Sequence, residues 1–125
     1  MTSTAKKGYL KEKRCRDDLI EDGWTIVFKS VRWRYGCIDF AELFDVVAIK
    51  KNPEFPKHPD WKFISVKHLT SGNYYLQHQK ELRRFKTMYG LEGMTFELWL
   101  WEKAGWRGRH PNKTHNKAKW RKIIL

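Results

Sequence analysis

The sequence is short of cysteine, of acid and of long apolar runs. There are two cysteines, Cys15 and Cys37. Segment Met1 to Lys7 has no apolar stretch behind its charges, so no secretory signal is expected and the reducing cytosol is the expected compartment. A disulfide is therefore not expected, and both thiols read as small core or half-buried groups. No apolar run approaches the roughly 18 residues that span a membrane. No internal repeat or low-complexity linker divides the 125 residues, which fit one domain. The five histidines lack partners at zinc spacing.

Acids number 14 against 26 Lys and Arg, a net charge of +12, and none follows Glu102. Such a field attracts polyanions. The basic residues are spread along the whole chain rather than gathered on one helix face opposite an apolar one, which favours nucleic acid over a membrane surface. Lys6, Lys7, Lys11, Lys13 and Arg14 crowd the start of the chain, and Arg32 and Arg34 flank Trp33. Arg83 lies further along, and Arg107, Arg109 and Lys113 belong to a basic loop at about 103–118. As a set they suit phosphate contact, which positions a protein without reading base sequence. Trp33 and Trp106 are candidates for stacking on exposed bases.

What is plentiful is aromatic and apolar matter, at 15% and 41%, too much for a disordered chain. Residues 6–22 read as a helix, with Gly8, Glu12, Cys15 and Leu19 on one face. Gly23 stops it, and WTIVFK (24–29) reads as a strand. Residues 30–42 read as a loop, LFDVVAI (43–49) as a buried strand, and the three prolines within 52–60 as a wide turn. WKFISVK (61–67) reads as a third strand. Ser71 and Gly72 open a helix through about Tyr89, with Tyr75, Gln79, Leu82 and Phe85 on one face. MTFELWLW (94–101) and KWRKIIL (119–125) close the series as strands. The order is α-β-β-β-α-β plus a short terminal strand.

Three charges break the apolar pattern. Glu12 lies on the inward face of the first helix, Asp45 lies within an apolar run, and Lys67 ends another, two residues after Ser65 on the same side. A buried charge is costly unless it is paired or binds a metal. Asp45 is thus either half of a buried ion pair, with Lys67 or an Arg, or part of a phosphodiesterase site. In such a site carboxylates hold Mg²⁺ and an ammonium offsets the charge that develops on phosphate.

The run KGYLKEKRCRDDLIEDGWTIVFKS, then FDVVAI, FISVK and QKELRRF, resembles the restriction-endonuclease-like PD-(D/E)XK nucleases over about residues 7–85. Within them it is most similar to the archaeal-type Holliday junction resolvases and related phage and viral proteins. The resemblance implies a restriction-endonuclease-like core, a central mixed β-sheet flanked by helices. It also implies an Mg²⁺-dependent endonuclease, with Mn²⁺ as the alternative ion, that cuts four-way DNA junctions as a homodimer in the cytoplasm, or the host cytoplasm if phage or viral. Asp45 and Glu12 match the metal-site acids, with the Val66 carbonyl as a further ligand, and Lys67 matches the motif lysine. Gln79 matches the helix glutamine, and Ser30 loosely matches a serine after the first strand. Ser65 stands where the family has an acidic metal ligand. Asp39 and Glu42, just upstream of Asp45, are the acids at hand to replace it. Two alternatives remain: a nuclease-fold DNA-binding protein that does not cut, and an RNA-binding protein.

Overall fold

The computed structural model describes residues 4–33, 36–55, 57–69, 74–102 and 119–125, with side chains described outside 4–9 and 32–38. Helix α1 (Thr4–Glu21) is rich in Lys, Glu and Arg, which lose little rotamer freedom in a helix. It ends in a pair of backbone bonds, from Trp24 N–H to the Leu19 carbonyl (2.9 Å) and from Gly23 N–H to the Ile20 carbonyl (3.0 Å). That pattern needs a left-handed residue, and Gly23 supplies it at φ 92°.

Strand β1 (Thr25–Lys29) follows, then β2 (Val31–Trp33), β3 (Gly36–Ile38), β4 (Val46–Lys50), β5 (Asp60–His68), helix α2 (Leu76–Tyr89), β6 (Met94–Glu102) and β7 (Lys119–Ile124). The main sheet has the order β1-β4-β5-β6-β7. All its pairings are antiparallel except β5 with β6, which α2 connects in parallel. Among the described residues the fold is thus mixed α/β, with a five-stranded mixed sheet and two helices. No described helix is long and apolar enough to cross a membrane.

The two helices cover opposite faces of the sheet. Cys15 and Leu19 of α1 pack with Val46, Ala48, Ile64, Val66 and Trp99. Leu82 and Phe85 of α2 pack with Phe44, Val47, Phe63, Phe96, Leu98 and Leu100. Alternate residues of one strand therefore enter different cores, as a pleated strand requires. That two-sided burial explains why β4 reads as a nearly continuous apolar run.

Three expectations need correction. Residues 30–42 are not an unbroken loop, because β2 and β3 pair there as a small antiparallel ribbon. Asp45 lies in the bend just before β4 rather than inside it. Helix α2 starts at Leu76, after Tyr75 in the left-handed region at φ 55°. Ser71 and Gly72 lie outside the described residues.

Candidate active site

The polar residues gather where β5 outruns β4. The last β4–β5 partners at that end are Val46 and Ile64, while Ser65 to His68 pair only with β6. The Asp45 N–H still reaches the Ile64 carbonyl at 2.9 Å. Two residues on, the Val66 N–H faces the same side with no strand to receive it. The Asp45 side chain turns in and accepts that bond on Oδ2 at 2.6 Å. By the same alternation the Val66 carbonyl also faces the Asp45 side. Asp45 thus ends the β4 ladder and presents its other oxygen, Oδ1, to what lies beyond.

A tight turn brings a second acid to it. Phe40 and Phe44 form a β-bridge, closed by bonds of 2.8 and 3.0 Å in the two directions. The turn needs Ala41 and Glu42 at φ 52° and 61°, a conformation costly for residues with a Cβ. Phe40 is clamped against Phe28 and Phe63, with ring centroids 5.6 and 5.7 Å away, and Phe44 is fully buried. The residues flanking the bridge, Asp39 and Asp45, consequently emerge together. Ser30 joins them: its hydroxyl lies 2.5 Å from Asp39 Oδ1 and 3.2 Å from Asp45 Oδ1. Its N–H bonds the Asp45 carbonyl at 2.8 Å.

Glu12 enters from α1, buried to 3% exposure on the same face as Cys15 and Leu19. Burial raises the Asp45 pKa to about 7, and the charges of Glu12 and Asp39 push the same way. The Val66 N–H and, more weakly, the Lys67 ammonium oppose the rise. Cys15, next to this group, is held as a neutral thiol, first by burial and then by the negative charge of Asp45 and Asp18.

Among the described residues no ion pair joins Asp45 to Lys67. The buried ion pair of the sheet is elsewhere: Lys62 Nζ lies 3.3 Å from Glu97 Oε2. Two further acids, Glu12 and Asp39, thus act on the buried Asp45 carboxyl, and the Lys67 ammonium opposes them. Among the described residues no three His, Cys, Asp or Glu groups are arranged to enclose a metal. A divalent ion on one or two carboxylates with the rest of its shell water is the arrangement this donor set fits, and Mg²⁺ tolerates it.

The expected site residues thus divide. Glu12, Ser30, Asp45, Val66 and Lys67 come together, with Asp39 added to them. Ser65 is fully enclosed, and its hydroxyl lies 2.7 Å from His78 Nε2 on α2 rather than toward Asp45. Gln79 is buried and donates to the Tyr74 carbonyl at 2.7 Å, so it braces the chain leading into α2. Tyr75 completes that brace by donating its hydroxyl proton to the His68 carbonyl at 2.8 Å. Glu42 is exposed and does not join the acids.

Of the residues expected on DNA, Arg14 and Arg83 are exposed and Lys11 is half-buried. Arg14 stacks over the Trp101 ring at 4.5 Å. The side chains of Lys6, Lys7, Arg32 and Trp33, and all of Arg34, Trp106, Arg107, Arg109 and Lys113, lie outside the described residues, as does the side chain of Cys37.

His78 is the site neighbour that the sequence hides, because its contact crosses from helix to strand over 13 positions. No protein-family model matches this chain, no curated protein matches it significantly, and no solved structure does so either.

Proposed function

We propose that this protein is a metal-dependent, structure-selective DNA endonuclease with a restriction-endonuclease-like core, acting on four-way junctions. The observation that carries this reading is the cluster at the open end of β5. A buried carboxyl, Asp45, has Glu12 and Asp39 around it and Lys67 beside it without an ion pair. Carboxyl groups gathered at one point suit a divalent cation, and the lysine ammonium nearby suits a phosphate.

Asp45 and Glu12 would hold Mg²⁺ or Mn²⁺, with the Val66 carbonyl available. When bound, the metal polarises the scissile phosphate and lowers the pKa of a bound water. Ser30 fixes the Asp39 and Asp45 carboxyls relative to each other. Val66 N–H holds Asp45 in one orientation. Lys67 places positive charge where the phosphate becomes more negative, an interaction that grows toward the transition state. Exposed Arg14 and Arg83, together with the net charge of +12, supply shape-tolerant phosphate contacts. A four-way junction needs two symmetric cuts, which a twofold homodimer provides.

One observation favours a second reading, a nuclease-fold protein that binds DNA without cutting it: position 65 is an enclosed Ser committed to His78. A cleavage assay with labelled four-way junction and matching linear duplex, in Mg²⁺, Mn²⁺ or chelator, separates the two. Paired cuts in the junction, lost with chelator, are expected. A junction that is shifted in a gel but uncut in every metal selects the binding-only reading. Preference for RNA over junction DNA in competition would reject both.

A further inference from the structure

Helix α2 carries a small polar chain that takes no part in holding a metal. Ser65 Oγ and His78 Nε2 are 2.7 Å apart, and His78 Nδ1 lies 3.8 Å from Glu81 Oε2. Ser65 is fully buried, the His78 side chain is 18% exposed and that of Glu81 is 53% exposed. The chain thus runs from the sheet interior to the surface. Ser65 and Lys67 are two apart on β5 and share the face that α2 covers.

His78 therefore lies beside Lys67. Burial first, and then the Lys67 charge, lower the His78 pKa, while Glu81 and Asp39 raise it. Glu81 is the one acid in the α2 sequence. Opposite charges, Lys67 and Glu81, act on His78, yet no ion pair joins them among the described residues.

We propose that His78, anchored by Ser65, is a positioning residue that separates Lys67 from Glu81 and keeps the lysine ammonium available to the substrate phosphate. The proposal rests on the endonuclease reading for its consequence, but not for its geometry. In the neutral ring, the Ser65 hydroxyl donates to Nε2 and Nδ1–H points toward the Glu81 carboxylate. An imidazole so fixed feels the charges of both Lys67 and Glu81, and on this proposal it keeps the flexible lysine stem from the carboxylate. A lysine locked to Glu81 would lose its place beside the cleavage site.

The test uses the full chain in two arms. In the first, Lys67 acylation by an amine-reactive ester is followed by mass spectrometry, without DNA or metal. His78→Ala is expected to slow labelling of Lys67 severalfold, because an amine engaged by Glu81 is less accessible to the ester. The double variant His78→Ala with Glu81→Gln is expected to return it to the wild-type rate. In the second arm, junction cleavage by His78→Ala is expected to lose roughly tenfold in kcat with KM unchanged. The double variant is expected to recover it, and Glu81→Gln alone to cut normally. Unchanged Lys67 labelling in His78→Ala, or no recovery in the double variant, overturns the proposal. If His78→Ala fails to fold, Ser65→Ala removes only the anchoring oxygen and is expected to slow Lys67 labelling in the same direction. Unchanged labelling in that variant also overturns the proposal. A wild-type protein that never cuts defeats the endonuclease reading, while the labelling arm still decides the fate of His78.

Discussion

Two acid–lysine neighbours lie in the same sheet and have opposite characters. Glu97 is 2% exposed on β6, accepts Lys62 at 3.3 Å and the Trp99 indole N–H at 2.9 Å. Lys62 also lies over the Trp24 ring at 4.6 Å. Every charge there has a partner close by, as a buried pair requires. Asp45 is similarly buried at 7%, but its carboxyl faces two further acids and has a lysine nearby without an ion pair. The first arrangement holds a fold together. The second gathers carboxyl groups at one buried position and raises the pKa of one of them, and perturbed groups of that kind cluster at functional sites.

The contrast can be broken most sharply through the lysines. Lys67→Ala is expected to lose roughly a hundredfold in junction cleavage, the scale for deleting a preorganised positive group, with little change in melting temperature. Lys62→Ala should do the reverse. Removing one partner of a buried pair costs about 3 kcal/mol, so urea unfolding should show a clear loss of stability while the folded fraction still cuts. Equal behaviour of the two variants in both assays would erase the distinction drawn between the two neighbourhoods.

A smaller effect is expected from pH. The folded Asp45 pKa of about 7 lies above its ordinary 3.8. Between those values the folded protein holds a proton that the unfolded chain has lost, so stability falls as pH rises through that window. Asp45→Asn should therefore stabilise the metal-free protein at pH 8 by on the order of 2 kcal/mol, with the gain fading toward pH 4. Thermal melts across pH check this, and a variant that is less stable at pH 8 would contradict it. The smallest expected effect is a rise of a few degrees in wild-type melting temperature on adding Mn²⁺ or Mg²⁺, on the order of 1 kcal/mol by mass action, absent in Asp45→Asn.

The elements were largely legible from the residues because two-sided burial and amphipathic spacing leave strong marks. Glu12, Cys15 and Leu19 share a buried face as their spacing requires, and the runs at 60–68 and 94–102 are strands. The β2–β3 ribbon was not legible, since Arg32, Arg34 and Gly36 interrupt the apolar alternation that marks a strand. Of the site, Glu12, Asp45 and Lys67 stood out as charges in apolar places. Asp39 was legible only as one of two nearby loop acids; what selects it over Glu42 is the Phe40–Phe44 bridge, which depends on left-handed backbone at Ala41 and Glu42 that no residue type there announces. Glu97 lay unnoticed in an alternating strand because its partner Lys62 sits across the β5–β6 ladder. His78 lay unnoticed because only the packing of α2 on β5 joins it to Ser65.

The central claim is that Asp45 is a working carboxylate rather than a structural one. It is tested most directly by giving wild-type protein and Asp45→Asn the same labelled four-way junction in Mg²⁺, and measuring cutting and binding side by side. Paired cuts by the wild type, none by the variant, and equal binding by both are expected. Cutting retained by Asp45→Asn would contradict the claim.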